Sequence, residues 1–134
     1  MKESNIELVM LVDDNDTDNF IHKRVLELTG FCTNIIVKNS GKSALEYLHE
    51  NKNNLEVLPN IIFLDINMPI VDGFVFLFEY ENFPENLKEK CKIVILSSSD
   101  SKRDIDRIVD NEYVINFITK PLSEDALAKL KRTI

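Results

Sequence analysis

No window of this sequence approaches the ~18 consecutive apolar residues of a membrane-spanning helix, and Met1 is not followed by a signal-like apolar segment. A protein without membrane contact is expected. Cysteine is scarce: Cys32 and Cys91 lie far apart without metal-type spacing, which predicts reduced core thiols in a cytoplasmic protein. Histidine is equally rare. His22 and His49 sit in charged helical segments without a second ligand at suitable spacing, and both read as surface residues. Positive charge is in deficit, with 16 basic against 23 acidic residues and a net charge of −7. That balance keeps a small domain soluble and argues against direct binding to nucleic-acid phosphates. No linker, repeat or low-complexity segment interrupts the chain. Its 134 residues, 44% of them hydrophobic, fit a single domain over 1–134 built on one core, with no output domain.

What the chain does have is a regular alternation. Apolar runs of strand length recur at Ile6–Val12, Thr33–Lys38, Ile61–Ile66, Lys92–Ser97 and Tyr113–Ile118. Most are β-branched and lack strict alternation, as expected of strands covered on both faces. Helical patterns lie between them. Phe20, Ile21, Val25 and Leu28 mark the first, which Gly30 closes, and Ala44, Leu45 and Leu48 mark the second. A third begins near Asp72, and a fourth carries Ile105, Ile108 and Val109. Ser123 caps the last, with Glu124 and Asp125 at its positive end and Leu122 placed to staple onto Leu127. The pattern is (βα)5, an α/β, doubly wound three-layer sandwich around a parallel sheet.

In such sheets ligands bind beyond the carboxyl ends of the strands, where strand order reverses. The polar residues collect there. The first strand runs into Asp13 and Asp14, the third into Asp65 and the fourth into Ser97–Ser99, while Lys120-Pro121 follows the fifth. The first and third strands lie side by side at the switch point, so three acids crowd one crevice. Carboxylates a few ångströms apart repel and raise one another's pKa, and a hard cation resolves the conflict. Mg2+ suits this donor set, because it takes one or two carboxylates and keeps waters and phosphate oxygens elsewhere. Lys120 offers a second positive charge.

With the acidic pair Asp13-Asp14, the segment DINMPIVDG from Asp65 to Gly73, Ser97, and FITKP from Phe117 to Pro121, the chain resembles the response-regulator receiver family of two-component signalling. The likeness is to its single-domain, chemotaxis-regulator-like members and covers essentially the whole chain. It implies a flavodoxin-like five-stranded sheet in order 2-1-3-4-5. It also implies a phosphorelay switch: Asp65 accepts a phosphoryl group from the phosphohistidine of a histidine kinase or phosphotransfer protein, in a Mg2+-dependent reaction. By the same resemblance Asp14 and Asp65 bind Mg2+ directly, Asp13 mainly through water, and Asn67 through its backbone carbonyl. Lys120 pairs with one phosphoryl oxygen and Ser97 donates to another. The receiver catalyses its own phosphorylation and dephosphorylation and then switches a protein-interaction surface through Ser97 and Phe117. Pro69 and Gly73 shape the loop after Asp65, Ser98 leaves a path to it, and the Lys120-Pro121 bond is cis. Asn67 and Ser99 flank the water path that limits the lifetime of the phosphoryl group.

The sequence departs from the family at two places. Phe117 stands where many relatives carry Tyr and lacks a hydroxyl to donate. Asn111, where Gly is frequent, is expected as a left-handed helix cap. Phe74 to Phe83 holds five of the 11 aromatics, most of them read as core and the remainder as a contact patch for a partner or second subunit. A monomer or weak dimer is expected, with a downstream protein target the residues do not name. A rival reading is a haloacid-dehalogenase-type phosphatase, but its second Asp, two residues after the nucleophile, is Asn67 here. A pseudo-receiver without phosphorylation conflicts with the full set Asp13, Asp14, Asp65, Ser97 and Lys120.

Overall fold

Strand β1 (Leu8–Val12) leads into α1 (Asp16–Thr29), β2 (Asn34–Lys38) into α2 (Gly41–Glu50), and a 3-10 turn at Leu55–Val57 into β3 (Ile61–Leu64). Then come α3 (Gly73–Tyr80), α4 (Glu85–Lys90), β4 (Lys92–Ser97), α5 (Lys102–Val109), β5 (Val114–Thr119) and α6 (Glu124–Thr133). This is a computed structural model that describes residues 6–98 and 102–134. Ser99 lies outside the described residues, as does the side chain of Val109. The five strands are parallel, in order β2-β1-β3-β4-β5.

The unbroken apolar runs follow from burial on both faces. Met10, Val12, Ile62, Leu64, Ile93 and Ile95 pack in one cluster with Leu48 of α2, Phe76 and Tyr80 of α3, Leu87 of α4 and Ile108 of α5. The residues between them, Val9, Leu11, Ile61, Phe63, Val94 and Leu96, join Leu26 of α1 and Leu127 and Leu130 of α6 in the other. Full burial of each such side chain is worth roughly 1.5–3 kcal/mol, so the sheet's middle strands anchor the fold. Leu122 and Leu127 share the second cluster, and the Ser123 side chain accepts from the Ala126 N–H, as the helix-start signal predicts.

Several local expectations need correction. The described residues form six α-helices, because the third helical stretch breaks at Pro84. Pro84 takes the N-cap position of α4, with Glu85 in its first turn and Lys88 and Lys90 in its last, charges that suit the helix dipole. Asn111 is not left-handed: the described residues with positive φ are Gly30 and Ile70. The Asn111 side chain instead accepts from the Tyr113 N–H at 2.9 Å, an Asx-type turn that satisfies the backbone without strain. On α1 the apolar residues Phe20, Ile21 and Leu28 face solvent, and the inward residues are Asn19, His22 and Leu26. His49 is exposed, but His22 is buried, contrary to the surface reading. Of the aromatic stretch, Phe76, Tyr80 and Phe83 are core, Phe74 is half-buried and Phe78 is exposed. Cys91 is buried and Cys32 half-buried, both free. Burial pushes the Cys32 thiol up to about 11 and the Cys91 thiol up to about 12, so both stay protonated near neutral pH.

Candidate functional site

Strand register assembles the crevice. Val12 pairs with Leu64, and the Asp65 N–H donates to the Val12 carbonyl at 3.1 Å, so Asp13 and Asp65 leave adjacent strands at one level. Ser97 pairs with Thr119, and the Lys120 N–H donates to the Ser97 carbonyl at 3.0 Å. The cis Lys120-Pro121 peptide follows at once. On the other side, the Asn15 side chain caps α1 by accepting from the Asp18 N–H at 2.9 Å. Asn19 donates its side-chain amide to the Asp13 carbonyl at 2.8 Å and ties the helix to the strand end.

Carboxylate oxygens of Asp13, Asp14 and Asp65 lie within 4.8 Å of one another. Asp13 and Asp65 are buried and Asp14 is exposed. The Lys120 Nζ donates to Asp13 Oδ2 at 2.6 Å, to Asp18 Oδ2 at 2.8 Å and to Asp65 Oδ2 at 2.9 Å. The buried Ser97 hydroxyl donates to Asp65 Oδ1 at 3.0 Å, and the Asn67 N–H donates to the same oxygen at 3.1 Å. Both oxygens of Asp65 are thus oriented. Asp13 Oδ1 accepts from the Asn15 N–H at 3.0 Å.

These contacts set the charge states. Burial pulls the Lys120 ammonium toward deprotonation, but its bonds to Asp13, Asp18 and Asp65 outweigh this and hold it above the usual lysine range. Burial pushes the Asp13 carboxyl up; the Lys120 and Asn15 bonds oppose this without cancelling it, and the Asp65 charge adds to it. Asp13 and Lys120 therefore shift the same way. The ammonium stays charged, while desolvation of the acid is only partly compensated. Three carboxylates, Asp13, Asp18 and Asp65, share the Lys120 ammonium, and the hard oxygens of Asp13, Asp14 and Asp65 form a donor set that fits Mg2+.

Gly73 supports the site by close approach rather than by an unusual φ. A Cβ there would meet the Ile66 Cα at 2.7 Å and the Asp65 carbonyl oxygen at 3.1 Å, so only glycine lets α3 start this near the acid. Ser98 is exposed beside the crevice, and Phe117 is half-buried against the first core cluster. Asp13, Asp14, Asp65, Ser97 and Lys120 thus meet as the motifs predict. Asp18 and Asn19 drew no expectation from the sequence, and His22 was expected at the surface. Their signal was helical spacing: Asn19, His22 and Leu26 recur on one face of α1, a face the apolar residues alone conceal.

Comparison with known proteins agrees with this geometry. The chain is 34% identical over 128 residues to the "Probable methanogenesis regulatory protein FilR2" of Methanothrix harundinacea, covering 95% of this chain and 78% of that protein. A two-component response regulator from Cytophaga hutchinsonii superposes with a TM-score of 0.88 at 30% identity, covering 98% of this chain and 97% of that one. The Mn2+-bound form of response regulator Rcp1, a protein of Synechocystis, superposes with a TM-score of 0.73 at 25% identity, over 94% and 90% of the two chains. The sequence model of the response regulator receiver domain matches residues 9–132. This chain therefore belongs to the response regulator receiver domain family, the phosphoacceptor module of two-component signalling.

Proposed function

We propose that Asp65 is the phosphoacceptor and that the groups around it divide the work of phosphoryl transfer. The carrying observation is its placement: a buried carboxylate with Lys120 Nζ 2.9 Å from Oδ2 and Ser97 Oγ 3.0 Å from Oδ1. An Asp65 oxygen attacks the phosphorus of a phosphohistidine, a P–O bond forms, the P–N bond breaks, and the imidazole leaves with the bonding pair. Transfer of this kind depends on alignment and charge neutralisation more than on covalent help from the protein. Lys120 follows the negative charge onto one phosphoryl oxygen, and the Ser97 hydroxyl turns from Asp65 to another. Asp14 and Asp65, the Asn67 carbonyl, and Asp13 mainly through water would hold Mg2+, which when bound neutralises charge on the phosphoryl oxygens. That Rcp1 has a Mn2+-bound form supports a divalent cation in this chain as well.

Receiver domains are signalling switches, not enzymes in the ordinary sense, and they pair with histidine kinases or phosphotransfer proteins. In this reading the domain speeds its own phosphorylation and dephosphorylation and presents α5, β5 and α6 to a protein target in the cytoplasm, as a monomer or weak dimer. Among the described residues no helix is long and apolar enough to cross a membrane. The test is incubation with Mg2+ and a small phosphodonor, followed by intact mass. One phosphoryl adduct is expected on the wild type and none on Asp65→Asn; undiminished labelling of the variant would sink the assignment.

A further inference from the structure

An ammonium has three N–H donors. In Lys120 all three are committed, to Asp13, Asp18 and Asp65. Of these acids, Asp18 alone stands outside the cluster of Asp13, Asp14 and Asp65 that can hold a cation. It comes from the first turn of α1 rather than from a strand end, and the Asn15 cap fixes its backbone. Its side chain is 33% exposed where that of Lys120 is 10% exposed, so it closes the solvent side of the ammonium. We propose that Asp18 is a positioning residue for phosphoryl transfer, holding the Lys120 ammonium in the crevice and competing for it with the anion bound at Asp65. The proposal rests on the reading of Asp65 as acceptor.

Two consequences follow with opposite signs. Before an anion arrives, Asp18 shares the ammonium with Asp13 and Asp65, and its negative charge offsets part of the repulsion between that ammonium and a divalent cation. Once a tetrahedral anion sits at Asp65, Asp18 competes with it for the same N–H donors. Neutralising Asp18 therefore weakens Mg2+ binding and strengthens anion binding. A side chain with only a structural role would weaken both on removal.

The experiment measures two affinities on the intact chain: Mg2+ alone, and beryllofluoride at saturating Mg2+. Wild type should bind beryllofluoride and Asp65→Asn should not; a wild type that fails to bind it overturns the acceptor reading itself. Given wild-type binding, Asp18→Asn should bind Mg2+ roughly threefold more weakly and beryllofluoride roughly threefold more tightly, the scale of a partly exposed ion pair. Asp18→Ser, which also suits a first helical turn, should shift both in the same directions should the Asn variant fold poorly. Asp18→Glu should return both toward wild type. Asp16 is exposed in the same turn and makes no bond to Lys120, so Asp16→Asn controls for loss of charge alone. Unchanged affinities in the Asp18 variants, a fall in both, or equal shifts in Asp16→Asn would overturn the role of Asp18.

Discussion

Asp13 and Asp14 are neighbours in sequence but not in circumstance. Asp13 is buried with both oxygens engaged, by Lys120 and by the Asn15 N–H, whereas Asp14 is exposed at the mouth of the crevice. Asp14→Ala should therefore weaken Mg2+ binding more than Asp13→Ala, because Asp14 has an oxygen free of these bonds to offer. Calorimetric titration of both variants checks this, and wild-type affinity in Asp14→Ala would contradict it. His22 makes a different prediction. Burial lowers its pKa from the ordinary 6.5, the Lys120 charge lowers it further, and Asp18 and Asp65 oppose. A base whose folded value is depressed takes up a proton more readily when unfolded. Its stability contribution is thus complete above 6.5 and is lost progressively as pH falls from there through the lower folded value. Denaturant midpoints at pH about 7.5 and about 5.5 should fall further in wild type than in His22→Leu; equal falls would rule His22 out. At this scale the sequence disclosed the residues that end strands, since adjacent strand ends must meet. Asp18 and His22 stayed hidden, because a helical residue acquires its role only when the cap at Asn15 sets the rotation of α1.

The elements themselves were legible wherever an apolar run met a clear stop or cap. Gly30 closes α1 at φ 64°, with its N–H on the Glu27 and Leu26 carbonyls, and Ser40, Asp72 and Ser123 cap α2, α3 and α6. Periodicity misled where two apolar faces competed. Phe20, Ile21 and Leu28 looked like the core of α1, yet the polar pair Asn19 and His22 is inside, held by the bond from Asn19 to the Asp13 carbonyl. In the aromatic stretch, Phe74 lies under the Arg107 guanidinium of α5 at 3.8 Å, so part of its surface serves a helix contact. The loop from β3 to α3 holds a local conflict. Ile70 has φ 66° and is 96% exposed, a β-branched residue in left-handed backbone with almost nothing buried in return. Ile70→Asn should raise stability by about 0.5–1 kcal/mol, because the left-handed region costs an ordinary L-residue about 1–2 kcal/mol. Chemical denaturation measures it. A lower midpoint in the variant would show that the Ile70 side chain has a stabilising contact that outweighs the strain.

At the scale of the whole molecule, the proposed switch couples the crevice to the α5–β5–α6 face through Ser97 and Phe117. In this proposal the Ser97 hydroxyl leaves Asp65 for a phosphoryl oxygen, and Phe117 turns inward toward the space it vacates near α5. Full burial of such a ring is worth roughly 1.5–3 kcal/mol, and Phe117 already packs against the core, so its gain is smaller still. Driving a two-state equilibrium from about 1:99 to 99:1 takes about 5.5 kcal/mol. The ring alone does not throw the switch, and without a hydroxyl it lacks an anchor in the inward state. NMR of the beryllofluoride-bound protein should show exchange broadening at Ser97, Lys102 and Phe117, and Ser97→Ala should lose most of that response while keeping the adduct. One sharp, fully shifted state in Ser97→Ala would remove Ser97 from the coupling. All of this depends on which carboxylate carries the phosphoryl group, and with three acids around Lys120 and Asp14 beside them, that is a question for direct chemistry. Borohydride reduces an acyl phosphate to the alcohol, so phosphorylated protein treated with borohydride and sequenced by mass spectrometry records the acceptor as homoserine. Homoserine at position 65, dependent on Mg2+ and the phosphodonor, is the predicted result; homoserine at Asp13, Asp14 or Asp18, with Asp65 unmodified, would contradict it.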